Sequence, residues 1–264
     1  MSRRGVVAGS EFKGRHFLDL DQARTLPTPG LVATGRALAD LVEAGAMGVV
    51  HGAAGLGKTF SVETALAGQA DMYVYWAAFP SRPTMRLVAA SLFEALSGLY
   101  AEDRTRFRLT DQVIELLVPD LGAPPRVVVV DEAQRLTREC IELLRHLHDH
   151  PATRFALVLV GGDGAWEVLS REPMLRSRVF RRVTFSPLAP AEVCELIGAF
   201  HPIYRGVEAV LMLLLVDDHF AHGNLRDWAS FTYTAAKLCA DHGRDRLDEE
   251  TARNAFTLHG CLGA

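Results

Sequence analysis

The chain has 264 residues, 49% apolar and 23% charged, with 28 basic against 32 acidic side chains and a net charge of −4. That supply of apolar residues builds a sizeable core in one large domain, or in one domain with a small appendage, and excludes disorder for most of the chain. The near-neutral balance excludes a protein that coats nucleic acid by bulk charge, while leaving room for a local basic stripe.

No apolar run is longer than the eight residues from Ala209 to Val216, well short of the roughly 20 that a membrane-spanning helix needs. No apolar stretch follows Ser2-Arg3-Arg4, so the amino terminus does not read as a signal peptide. Cys140, Cys194, Cys239 and Cys261 stand far apart without a C-x-x-C pair, a pattern expected of reduced thiols in a cytoplasmic protein. Only Lys13, Lys58 and Lys237 are lysines, so a lysine inside a motif carries weight.

In chain order, residues 1–30 read as an arm that ends in Pro27-Thr28-Pro29-Gly30. Short apolar runs then alternate with amphipathic stretches. The runs Met47–Val50, Met72–Trp76, Val127–Val130, Phe155–Val160 and Val183–Phe185 predict strands, and the Val127 and Phe155 runs are apolar throughout, as strands covered on both faces are. Helical patterns fall near 31–44, 58–69, 83–99, 110–118 and 137–149. This rhythm predicts a mostly parallel sheet between helices. It stops at Ser186-Pro187-Leu188-Ala189-Pro190, and beyond that point the segments 191–199, 207–217, 225–241 and 248–258 all read as helix, with Pro190 at a helix start. The expected division is an α/β domain over 31–186 and an all-helical one over 187–264.

Gly52-Ala53-Ala54-Gly55-Leu56-Gly57-Lys58-Thr59 matches G-x-x-x-x-G-K-[S/T] between a predicted strand and a predicted helix, the context the motif requires. Glycines let such a loop aim backbone N–H groups at phosphates, and the helix start adds its positive end. Gly52 through Thr59, with Phe60 next, are the candidate nucleotide-binding residues. Lys58 supplies charge to the terminal phosphates and the Thr59 hydroxyl ligates Mg²⁺. Downstream, Arg126-Val127-Val128-Val129-Val130-Asp131-Glu132 is a buried strand ending in two acids. Asp131 would hold the Mg²⁺ through a water, and Glu132 would act as general base or orient the attacking water. The pairing favours hydrolysis of a nucleoside triphosphate over a small-molecule kinase.

These residues, followed by "LRHLHD", "FALVLVG" and "MLRSRVFRRVTFSPLAPAEV", resemble the AAA+ ATPases, and within them the transposon target-selection proteins of the TniB, TnsC and MuB group. Secretion-type ATPases related to ExeA share much of the same text. The resemblance covers roughly 30–245. It implies an α/β P-loop AAA+ module with a five-stranded, mostly parallel sheet between helices, a small C-terminal helical lid, and ATP bound between them. Assembly into rings or filaments is also implied.

Three further roles follow from the resemblance. Asp163, just after the fourth strand, stands nearest the place of a polar sensor of the terminal phosphate; a plain turn residue is the competing reading. Arg171, Arg176, Arg178, Arg181 and Arg182 cluster just before the fifth strand, and Arg176 or Arg178 is expected as the finger that a neighbouring subunit inserts. Gly223-Asn224-Leu225-Arg226 resembles the second sensor, with Arg226 reaching the nucleotide.

Basic residues at Arg82 and Arg86, and at the alternating Arg104, Arg106 and Arg108, would track a phosphate backbone if the last three lie in an extended segment. His146, His148 and His150 alternate near a helix end without a third ligand segment, which suits a helix C-terminus better than a metal. The expected function is an ATP-hydrolysing AAA+ protein with ATP and Mg²⁺ as cofactors. It would assemble with itself on double-stranded DNA and recruit or regulate a transposase, without a membrane. An ExeA-like ATP-dependent switch or scaffold acting without DNA stays open beside it.

Overall fold

The computed structural model describes residues 7–8, 16–69, 71–101, 105–206 and 209–261. They divide into two compact units, one drawn from 1–14, 33–54 and 61–185 and the other from 15–32, 55–60 and 186–264.

The first unit is built on a six-stranded sheet. In chain order, its strands are β1 (Val7–Ala8), β2 (Met47–Gly52), β3 (Tyr73–Ala78), β4 (Arg126–Asp131), β5 (Ala156–Gly161) and β6 (Val179–Phe185), arranged β1-β3-β4-β5-β2-β6. The strands from β3 to β6 in that spatial order are parallel, and β1 adds a two-residue antiparallel edge through Val7↔Val74 and Ala8↔Tyr73. The expected five-stranded parallel sheet is therefore present, with β1 as an addition. The helices along the same stretch are α1 (Pro29–Ala44), α2 (Lys58–Ala67), α3 (Met85–Ser97), α4 (Arg106–Leu117), α5 (Arg138–Asp149), α6 (Ala165–Ser170) and α7 (Pro173–Arg176).

Side-chain chemistry explains these elements. The four valines of β4 are buried on both faces of the sheet, and each β-branched side chain contributes about 2 kcal/mol by leaving water. α5 turns Ile141, Leu144 and Leu147 inward at helical spacing, and its first turn is capped by Thr137, whose hydroxyl accepts from the Cys140 N–H at 3.4 Å. Gly48 in β2 faces Leu41 of α1 so closely that any Cβ would overlap the leucine methyls, so the helix packs directly on the strand.

Two expectations about the basic segments need correction. β6 begins at Val179, four residues before the expected Val183, so Arg181 and Arg182 lie within the strand and not before it. As an edge strand bonded only to β2, β6 exposes Phe180, Arg181, Arg182 and Thr184, and that polar content hides it from an apolar-run reading. α4 likewise starts at Arg106, capped by the Thr105 hydroxyl, which accepts from the Arg108 N–H at 3.4 Å. Arg106 and Arg108 therefore occupy a helical turn, where residues two apart point to different sides, and the extended basic stripe does not form. Arg104 lies outside the described residues.

The second unit is helical. Its main elements are α8 (Pro190–Leu196), α9 (Ala209–Val216), α10 (Leu225–Asp241) and α11 (Glu249–Leu258). Pro190 occupies the first turn of α8, and the Glu192 carboxylate accepts from the Ala189 N–H at 2.8 Å. Trp228, Phe231 and Tyr204 form the centre of its core, joined by Leu20 and Leu26 from the segment before α1. That segment, expected as a leading arm, is anchored here: the Arg24 N–H donates to the Phe200 carbonyl at 2.8 Å. Between α9 and α10 the chain makes a π-helical turn, Asp217–Ala221. No helix of the described residues is long and apolar enough to cross a membrane.

Candidate functional site

β2 delivers the glycine loop. Gly52 closes the strand in register with Phe185 of β6, and a Cβ at Gly52 would overlap the Phe185 carbonyl oxygen. Ala53 and Ala54 follow, exposed. Gly55 and Gly57 adopt φ values of +83° and +86° around the buried Leu56, a region that only glycine enters cheaply. Lys58, Thr59 and Phe60 then form the first turn of α2, and that turn holds no acidic residue. The sequence therefore presents a turn of backbone amides, a helix N-terminus and one ammonium group in succession.

Within the helical unit this loop meets the segment that opens α10. The Gly55 carbonyl accepts from the Arg226 N–H at 2.9 Å. A Cβ at Gly55 would strike the Asn224 side chain, and one at Gly57 would lie 3.2 Å from Leu225. Asn224 caps α10, its Oδ1 accepting from the Arg226 N–H at 3.0 Å and the Asp227 N–H at 3.4 Å. The Arg226 guanidinium is exposed and lies 5.5 Å from the centre of the Phe17 ring. The turn is braced from beneath by Asp217, only 7% exposed. Its Oδ1 accepts from the Gly223 N–H at 2.7 Å and from the Trp228 indole N–H at 2.9 Å. Nearby His16 packs on the Phe60 ring at 4.9 Å, and burial lowers its pKa below the usual imidazole value.

In the sheet unit, β2 and β4 run parallel with only β5 between them, so Gly52 and Asp131 leave the sheet at the same edge. That edge is where parallel α/β sheets bind ligands. Asp131 ends β4 beside Ala78. Glu132 follows in the left-handed region at φ 56°, ψ 39°, and its N–H donates to Asp131 Oδ1 at 2.8 Å. Glu132 Oε2 accepts from Gln134 Nε2 at 2.6 Å and pairs with Arg135 at 3.2 Å. Gln134 Oε1 in turn accepts from the Gly162 N–H at 2.8 Å.

Asp163 sits exposed in the turn between β5 and α6. Of the clustered arginines, three are engaged inside this unit. Arg178 donates to Asp149 at 2.7 Å and to the Met174 carbonyl at 2.8 Å. Arg181 pairs with Asp40 at 2.7 Å, and Arg182 lies over the Trp166 ring at 4.7 Å. Burial alone would raise the Asp149 carboxyl, but hydrogen bonds from Arg178 and Arg145 outweigh it and hold that group below the usual range. Arg171 and Arg176 point to solvent and make no ion pair among the described residues.

Arg82 and Arg86 are also exposed, Arg82 with a positive φ of 52°. The Arg106 guanidinium contacts the Met85 sulfur at 3.7 Å, which brings the starts of α3 and α4 together. The adjoining cleft, 640 Å³, mixes Arg106, Arg138 and Arg145 with Asp111, Glu139 and Glu142, so its charge is balanced and not that of a phosphate track. His148 Nε2 donates to the Gly45 carbonyl at 3.1 Å, and burial lowers its pKa. Gln134 and Asp217 were not among the sequence candidates. Gln134 stands two residues after the acidic pair, which was an available signal, whereas Asp217 lies in an apolar helix end with none.

Residues 42–169 match the family profile described as AAA domain. No curated protein matches the sequence. Among solved structures, the chain is similar to Cdc6p from Pyrobaculum aerophilum at TM-score 0.70 and 17% identity, covering 90% of this chain and 68% of that one. It is similar to the Aeropyrum pernix ORC2 protein with ADPNP and ADP at TM-score 0.64 and 16% identity, covering 90% and 70%. The Aeropyrum pernix ORC1 protein in complex with DNA matches at TM-score 0.64 and 18% identity, covering 88% and 66%. The chain thus spans about two thirds of their length, and its fold is that of P-loop AAA+ ATPase structures.

Proposed function

We propose that the chain binds and hydrolyses ATP, that ATP assembles it with further copies of itself on double-stranded DNA, and that the assembly recruits or regulates a transposase. The carrying observation is the run from Gly52 through two left-handed glycines into the helix start at Lys58, with Asp131 and Glu132 at the same sheet edge as Gly52. The cradle fits a polyphosphate because Gly55 and Gly57 hold the left-handed backbone that lets successive amides face one way, ahead of the helix start at Lys58. Thr59 and Asp131 offer hard oxygen donors of the kind Mg²⁺ takes, and the ion would neutralise phosphate charge there. Lys58 binds the terminal phosphates. Glu132 orients a water whose oxygen attacks the γ-phosphorus, and its carboxylate takes the proton while ADP leaves with the bridging oxygen. Arg226 couples nucleotide to the helical unit.

Arg176, exposed and without an ion pair among the described residues, suits insertion into a neighbouring copy better than Arg178, which is bound to Asp149. Because the finger comes from another copy, turnover per subunit should rise with protein concentration and with duplex DNA. Turnover independent of both would remove the assembly mechanism. DNA binding with a non-hydrolysable ATP analogue should weaken steeply as salt rises; absence of binding at low salt would favour the scaffold reading. The transposase role is supported by the similarity of "VDEAQRL" and the text that follows it to the transposon target-selection proteins. Stimulation of an integrase-like transposase encoded beside this chain is its test.

A further inference from the structure

One polar side chain in the acidic turn has no part in the reaction above. Gln134 stands two residues beyond Glu132, in the short helical turn Ala133–Arg135 that follows β4. Both ends of its amide are used. The Nε2 group donates to Glu132 Oε2 at 2.6 Å, and Oε1 accepts from the Gly162 N–H at 2.8 Å. A flipped amide would set its donor against the N–H and its acceptor against the carboxylate, so the two partners determine its orientation.

We propose that Gln134 is the positioning residue for the Glu132 carboxylate, tying it to the carboxyl end of β5. The inference rests on the reading of Glu132 as the group that handles the attacking water. Three observations carry it. First, Glu132 holds a left-handed backbone conformation, which costs a non-glycine residue about 1 kcal/mol and persists only where the surroundings hold it. Second, Gln134 and Arg135 both bind Oε2, and among the described residues Oε1 takes no hydrogen bond, so one oxygen is anchored and the other is left for water. The Arg135 pair is about half exposed and screened, whereas the Gln134 bond is short and internal to the turn. Third, Gly162 makes room for the amide: a Cβ there would lie 3.2 Å from Nε2 of Gln134, and one on Gly161, which would overlap Ala165 first, 3.1 Å from Oε1. At the end of β5, where Asp163 turns out to solvent, the polar group on offer is thus the amide of Gln134.

The test compares Gln134→Ala and Gln134→Glu with the wild-type chain and with Glu132→Gln, by steady-state ATPase and by titration with a fluorescent ATP analogue. Gln134→Ala should lower kcat about 10- to 100-fold, with KM and analogue affinity within about twofold of wild type. Gln134→Glu keeps the size of the side chain and its acceptor for Gly162, so a purely structural role would tolerate it. Because it sets a like charge against Glu132, it should lose at least as much turnover as the alanine variant. In the Glu132→Gln background, single-turnover rates should not fall further when Gln134 is also changed, since the two act as one unit. Wild-type turnover in Gln134→Ala, or losses that multiply in the double variant, would overturn the inference alone. A wild-type chain without ATPase activity, or one indifferent to Glu132→Gln, would overturn it together with the reading of Glu132.

Discussion

In the sheet unit the two central strands are aliphatic: Val127 to Val130 and Leu157 to Val160 are each at most 1% exposed. The helical unit instead packs Trp228, Phe231 and Tyr204 around polar groups, with Asp217, Thr232 and His201 buried and hydrogen-bonded. In the sheet, position comes from the backbone ladder and stabilisation is spread over many similar contacts, so the strand ends that carry Gly52, Asp131 and Gly162 are held redundantly. In the helical unit one carboxylate oxygen of Asp217 serves two donors beneath the Asn224–Arg226 turn. A buried polar network concentrates its contribution in few atoms and is broken by one change.

That contrast can be broken by substitution, starting with the largest effect. Glu132→Gln should lower ATP turnover about 1,000-fold while ATP binding, read by calorimetry, stays near wild type; retained turnover would remove the acidic turn from the chemistry. Lys58→Ala should weaken ATP binding by about two orders of magnitude, as loss of a charged contact to phosphate does. Unchanged affinity would take the glycine loop out of the site. Asp217→Ala should destabilise the helical unit by about 3 kcal/mol, since it strands the Gly223 N–H and the Trp228 indole N–H. Val128→Ala should cost the sheet unit about 2 kcal/mol, with little change around Arg226. Denaturant titration followed by tryptophan fluorescence measures both, and equal losses would erase the difference between the two cores.

The arginine pair divides in the same way. Arg176→Ala should lower turnover at high protein concentration without changing the melting temperature. Arg178→Ala, which leaves Asp149 with Arg145 alone, should lower the melting temperature by a degree or two while sparing turnover.

The smallest effect is that of pH. Burial lowers the pKa of His16, His201 and His259 in the helical unit, and of His148 in the sheet unit, below the ordinary value of 6.5. A depressed histidine binds its proton more readily when unfolded, so stability is full above about pH 6.5 and falls as the pH drops below it. With three such groups among its described residues against one in the sheet unit, the helical unit should loosen first between pH 7 and pH 5. Near-ultraviolet circular dichroism of Trp228 would report this, and His201→Gln should blunt it.

The amino-acid sequence by itself determined the parallel sheet, the glycine loop and the paired acids, because each is a local pattern. A buried parallel strand must be a continuous apolar run, and a phosphate loop needs its glycines at set spacing. The same locality hid β6 before Val183, an edge strand whose exposed side chains break the apolar pattern, and misplaced Arg106 and Arg108, whose alternation suits a strand although Thr105 starts a helix there. Tertiary structure alone decided which arginines are engaged, since Asp149 and Asp40 lie 29 and 141 residues away from their partners Arg178 and Arg181. It also decided that Gln134 bridges Glu132 to Gly162 and that Asp217 braces the turn before α10. Hydrogen bonds across folded distances depend on where the chain returns to itself, and no local spacing encodes that return.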